Sequence, residues 1–164
     1  MQHEYVNHLY HVYSSGWMML RLSTKGRYAT RIMVFLAAAD GTRPARKQEI
    51  AEGEGISADY VEQILVKLKV AGLVESRRGA NGGFLLARDP ASITVADVLL
   101  ATEGPVDLVP CLGSDCERIS ECVTRGVWAR ASEALEQIFG NTTMAQLARE
   151  AREFRTSQAP TYDI

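Results

Sequence analysis

The run from Ile56 to Leu86, "ISADYVEQILVKLKVAGLVESRRGANGGFLL", leaves few folds open to this chain. Ser57 is a helix-capping residue, and Asp59 and Glu62 place negative charge in the first turns, where a helix N-terminus favours it. Val61, Ile64, Leu65 and Leu68 then share one face at helical spacing until Gly72 stops the run. "LVESR" and "FLLA" are short strand-like runs, and "RGANGG" between them supplies Gly79, Asn81, Gly82 and Gly83 for the turn of a hairpin tip.

The residues on either side extend the pattern. After Ser23, "TKGRYATRIMVFLAAAD" sets Tyr28, Ile32, Phe35 and Leu36 at helical spacing, and Asp40-Gly41 ends it. "RKQEIAEGEG" predicts a short second helix around Ile50 and Ala51, broken by Gly53 and Gly55. Two helices across a tight Gly-containing turn are a helix-turn-helix candidate, and with the hairpin they make a winged helix. Further on, "SITVADVLLATEGP" predicts a helix capped by Thr94 with Asp97, stapled by Ile93 and Val98, and ended by Gly104-Pro105. A long helix follows from about Cys122 to Phe139, with Val127, Ala131, Leu135 and Ile138 on one stripe, Trp128 beside it and Gly140 closing it. Thr143 and Gln146 read as a capping box for a last helix, about Met144 to Phe154. The long stripe can be core within one chain or a dimer interface.

The fold class expected is therefore mainly α with a small β-hairpin wing: a winged helix-turn-helix domain plus a long C-terminal dimerisation helix. The chain divides into an N-terminal extension (1–18), read as a disordered or non-native start, the winged domain (19–104), a cysteine loop (105–123), dimerisation helices (122–155) and a flexible tail (156–164). A length of 164 residues with 46% hydrophobic content suits one core with an appendage.

The charge distribution points to a phosphate-bearing partner. Net charge is −2, but residues 21–89 hold 12 Lys and Arg against 8 Asp and Glu, while the rest holds 6 against 12. A basic first half and an acidic second half suggest a phosphate-facing module joined to an assembly or sensing module. Once the apolar face of the third helix is assigned, Asp59, Tyr60, Glu62, Gln63 and Lys67 are left on its exposed side. Gln63 has the bidentate chemistry to read adenine, and Glu62 can accept from cytosine. Arg77 and Arg78 extend from a tip of little bulk, which suits a minor groove or phosphates. Taken alone, a hairpin with solvated arginines reads the same way.

All three cysteines, Cys111, Cys116 and Cys122, lie within "CLGSDCERISEC". No run of some 18 apolar residues exists, and the first 18 residues lack both a basic start and a continuous apolar middle. A cytoplasmic location is expected, with no membrane association. In a reducing compartment an odd, tightly spaced set of thiols fits metal binding or redox sensing better than a disulfide framework.

At this point the chain resembles the winged-helix iron-sulfur transcription regulators of the IscR and NsrR type. The resemblance runs from about Leu20 to Leu147 through "LRLSTKGRYA", "GISADYVEQIL", "GLVESRRGANGGFLLARDP", "ITVADV", the three cysteines, "VW" and "TTMAQL". It implies a homodimer that grips a roughly palindromic double-stranded DNA operator with the third helix and the wing, Asp59, Glu62 and Gln63 facing bases and Arg78 entering the minor groove. It also implies an iron-sulfur cluster on Cys111, Cys116 and Cys122, with 2Fe-2S preferred over 4Fe-4S, that tunes DNA binding. Soft thiolate ligands suit such a cluster. The spacing Cys-x4-Cys-x5-Cys has one residue fewer in its first gap than the family pattern. A fourth ligand is missing: Arg125 stands where some members have histidine, and Arg27 where others have aspartate. Asp115, Glu117, Glu121, a partner-subunit group, a small thiol and solvent remain candidates.

Residues 1–18 hold all three histidines, His3, His8 and His11, which can ligate iron or zinc. A zinc-binding or thiol-redox regulator of the same fold is the alternative reading of the cysteines. No nucleophile elbow, paired catalytic motif or metalloprotease helix is present, so an enzyme is not expected.

Overall fold

The computed structural model describes residues 22–39, 43–79, 81–105, 108–113, 116 and 118–157. The N-terminal extension with its histidines, Asp115, Glu117 and residues 158–164 lie outside them. Among the described residues, six α-helices and one two-stranded antiparallel sheet form a winged helix with a helical C-terminal arm.

Helix α1 (Thr24–Ala38) is capped by the Ser23 hydroxyl, which accepts from the Gly26 N–H at 3.2 Å, and it buries Ala29, Ile32, Met33 and Leu36. Helix α2 (Lys47–Glu54) runs through Gly53 and stops at Gly55, which takes the left-handed conformation. Gly53 is thus no breaker. A Cβ there would lie 2.6 Å from Cε2 of Phe35, so its missing side chain lets the Phe35 ring of α1 close onto α2. Helix α3 (Ala58–Val70), capped by Ser57, buries Val61, Ile64, Leu65 and Leu68, as the spacing predicts.

Strands β1 (Val74–Arg77) and β2 (Gly83–Leu86) pair with Val74 opposite Leu86 and Arg77 opposite Gly83. Ala45, between α1 and α2, adds a single rung on the other edge of β2: it exchanges backbone bonds with Phe84 at 2.9 and 2.8 Å. Helix α4 (Val95–Glu103) carries the full capping box, with the Asp97 carboxylate accepting from the Thr94 N–H at 2.9 Å and the Thr94 hydroxyl from the Asp97 N–H at 3.2 Å. Ile93 and Val98 are both wholly buried beside it.

Helix α5 (Arg125–Asn141) begins three residues later than expected, because 118–124 form turns, and it continues through Gly140. Its end is set by Thr142, whose extended backbone turns its carbonyl to the Val95 N–H at 2.9 Å. Helix α6 (Met144–Ser157) takes in Thr156 and Ser157, which the sequence placed in the tail. The Gln146 N–H donates to Thr143 at 3.2 Å, but the Gln146 side chain turns to Glu150, so only half of the capping box forms.

One core gathers apolar side chains from α1 to α4 and β1, and it includes Met144 and Ala148 of α6. Helix α6 therefore packs back on α1 as part of the winged body, while α5 buries none of its residues and leaves Val127 and Ile138 exposed. The two C-terminal helices, grouped together in the sequence as dimerisation elements, have different packing. No helix among the described residues is long and apolar enough to cross a membrane.

Candidate nucleic-acid interface and cysteine loop

Beside the shared apolar core, an ion pair joins α2 to α3. Lys47, the first residue of α2, donates to Glu62 of α3 at 2.6 Å. The bond to Glu62 holds the Lys47 ammonium above its ordinary lysine pKa. Glu62 is thereby an oriented carboxylate on an exposed face. Asp59 and Gln63 are exposed beside it, and the Gln63 side chain makes no hydrogen bond among the described residues. Val66 follows one turn later on the same side, 57% exposed, an apolar group suited to a thymine methyl that periodicity alone did not nominate.

Two residues of the expected reading face point elsewhere. The Tyr60 ring is partly buried and meets Tyr28 of α1 edge-on, centroids 6.0 Å apart, because that flank of α3 abuts α1. Lys67, two turns on, reaches α4 and donates to the Thr102 carbonyl at 3.0 Å. Its charge sits on the C-terminus of α4, where helix carbonyls lack partners.

At the wing, Arg77 and Arg78 are both exposed, Arg77 in a loose pair with Glu75 at 3.5 Å. Gly79 holds the turn at φ 110°, and Asn81 is exposed at the tip. Gly83 has a stricter duty: a Cβ there would lie 2.5 Å from the Ala45 carbonyl oxygen, so only glycine allows the Ala45–Phe84 rung. That rung places Arg43 and Arg46 against the wing. Arg43 donates to both oxygens of Glu49 at 3.0 Å, and the Arg46 N–H donates to the same carboxylate at 3.1 Å. Those bonds, Arg43 foremost, hold Glu49 below the usual carboxylate range. Arg43 and Arg46 were missed in the sequence because only a long-range backbone pairing makes them neighbours of the wing.

Cys111 lies on a short turn of 3-10 helix (Pro110–Leu112), and Cys116 and Cys122 lie on the loop that leads to α5. All three are free thiols of intermediate exposure. Cys122 shares a hydrogen bond with the Thr124 hydroxyl at 3.4 Å; that bond, then the N–H groups of Arg125 and Thr124, lower its thiol pKa. Arg125 donates to the Cys111 carbonyl at 2.7 Å, tying the start of the loop to α5. Among the described residues no three His, Cys, Asp or Glu side chains are gathered closely enough to hold a metal ion. The donor chemistry, three soft thiols, suits iron.

Comparison with known proteins places this geometry in context. A family model described as "Rrf2: Iron-dependent Transcriptional regulator" matches residues 22–150. The transcriptional regulator IscR of Klebsiella pneumoniae (strain 342) is 39% identical over 129 residues, spanning 78% of this chain and 79% of that one. The solved structure of CymR, the global cysteine regulator of B. subtilis, superposes with a TM-score of 0.72 at 38% identity, covering 80% of this chain and 98% of its own. T. potens IscR superposes with a TM-score of 0.68 at 36% identity, covering 87% and 95%.

Proposed function

Because this chain belongs to the Rrf2 family of transcriptional regulators, we propose that it is a homodimer that binds roughly palindromic duplex DNA and whose operator binding responds to an iron-sulfur cluster on Cys111, Cys116 and Cys122. The observation that carries the DNA reading is the shared exposure of Asp59, Glu62 and Gln63 on α3 and of Arg77 and Arg78 at the wing. Helix α3 reads bases in the major groove, and the wing cations reach the adjacent minor groove or its phosphates. Pairing through α5 is supported by the exposed ends of its stripe, Val127 at 49% and Ile138 at 60%, with Ala131 and Leu135 half-buried between them. No catalytic role is assigned to any residue.

The cysteine loop supports the sensing part. Cys111, Cys116 and Cys122 would be the ligands, the bound cluster would supply a redox- and ligand-sensitive centre, and 2Fe-2S is preferred over 4Fe-4S. Arg125 bridges that loop to α5 through the Cys111 carbonyl, so rearrangement of the loop is transmitted to the helix proposed to pair the subunits. A second reading is a zinc-binding or thiol-redox regulator of the same fold; free, partly accessible thiols that are not gathered among the described residues favour its thiol-redox form.

Anaerobic purification with absorption spectroscopy and iron and sulfide analysis separates the two. Iron with acid-labile sulfide, absent from each single Cys→Ala variant, supports the cluster; zinc alone or no metal supports the second reading. DNA reading is tested by selecting operators with the wild type and with Gln63→Ala. The variant should relax base preference at one position per half-site, at roughly 1 to 3 kcal/mol for each base no longer read. Unchanged selection would remove Gln63 from the interface.

A further inference from the structure

Between the wing and the start of α2 lies a concavity of ≈ 630 Å³ lined by Arg43, Arg46, Arg77, Arg78, Asn81 and Glu49, with Pro44 between the first two. Its lining brings four arginines together with one glutamate, whose carboxylate is already bonded to Arg43 and to the Arg46 N–H, while Arg77 also pairs loosely with Glu75. The arginines come from two stretches more than thirty residues apart, and the Ala45–Phe84 rung holds those stretches together. In a chain of net charge −2 such a concentration is local.

We propose that this cleft is a phosphodiester site for the DNA strand that separates the two grooves, with Arg43 and Arg46 as contacts of their own beside Arg77 and Arg78. This inference rests on the DNA reading proposed above. Its geometry follows from position. The edge between a major and a minor groove is a phosphate backbone, so whatever lies between a helix in the first and a wing over the second faces phosphates. The cleft lies between them: Arg46 precedes Lys47, which holds Glu62 of α3, while Arg77 and Arg78 belong to the wing. Guanidinium forks match phosphate oxygens with two parallel bonds, which suits a positioning contact without base preference. Glu49 keeps Arg43 ordered before DNA arrives, and by accepting from the Arg46 N–H it also holds the short segment that carries both arginines.

The test uses Arg43→Gln and Arg46→Gln in the full chain, with affinity measured over a salt titration on a selected operator and on random duplex. Each variant should weaken both duplexes by the same factor, leave base preference unchanged, and make the slope of log affinity against log salt shallower by about 0.9 for each phosphate no longer neutralised. Thermal unfolding checks that each variant is folded, and Arg46→Lys, which keeps the charge, should retain most of the slope. Inorganic phosphate is titrated in parallel. If phosphate raises the melting temperature through Arg46 while the duplex slope is unaltered, the cleft serves a small anion and the proposal falls. An unchanged slope in both variants, with wild type still binding and selecting operators, also overturns it and leaves the DNA reading intact. Failure of the wild type to bind any duplex overturns that reading together with this inference.

Discussion

Replacing Lys67 by methionine separates two roles that the sequence alone could not. The substitution keeps the apolar stem and removes the ammonium that sits 3.0 Å from the Thr102 carbonyl oxygen. Thr102 is among the last four residues of α4, whose carbonyls no N–H of the same helix can reach. A hydrogen bond from a cation to such a carbonyl, with the favourable helix dipole, is worth about 1 kcal/mol where water still reaches the charge. For a body of this size that loss lowers Tm by about 3 °C. A lysine that instead touched a DNA phosphate would leave Tm nearly unchanged and make the salt slope of DNA affinity shallower by about 0.9 per protomer. The structure predicts the first pattern. Differential scanning calorimetry and a fluorescence-anisotropy salt titration on one operator measure both quantities. An unaltered Tm together with a shallower slope would refute the reasoning and return Lys67 to the reading face.

Three further outcomes follow from buried or paired groups. Gly83→Ala forces a Cβ against the Ala45 carbonyl, so the rung to Phe84 should break at a cost of about 2 kcal/mol, seen as faster amide exchange at Ala45 and Phe84 and weaker DNA binding. Met144→Ala removes a wholly buried side chain at the head of α6 and should cost about 2 to 5 kcal/mol in urea unfolding; a change below about 1 kcal/mol would mean α6 is not part of the core. Glu49 has its folded pKa depressed by Arg43, so their interaction stabilises above the ordinary carboxylate pKa and fades as pH falls through the folded value. Melting curves of wild type and Arg43→Ala should therefore differ at neutral pH and converge in acid, and a gap that persisted below the carboxylate range would contradict this origin.

What could be read from the sequence was whatever depends on residues within a turn or two of one another. The caps at Ser23, Ser57 and Thr94–Asp97, the buried stripe of α3 and the hairpin from "LVESR" to "FLLA" are local choices, set by side-chain bonds to nearby N–H groups and by the period of apolar residues. The family resemblance was legible for the same reason, since it rests on short motifs in order. Tertiary packing decided the rest. Tyr60 looked like a surface residue of α3 until α1 closed on that flank, and Lys67, still exposed, is tied to α4 by its bond to Thr102. Gly53 looked like a breaker until the Phe35 ring occupied the space its side chain would need. Met144 and Ala148 joined the winged core because Met144 donates its N–H to the Ile93 carbonyl at 2.8 Å and α6 folds back along α1. Arg43 and Arg46 stood apart from the wing in sequence and were brought to it by two backbone hydrogen bonds at Ala45 and Phe84. Periodicity says which face of an element is apolar, but which neighbour covers each flank depends on how separate elements pack.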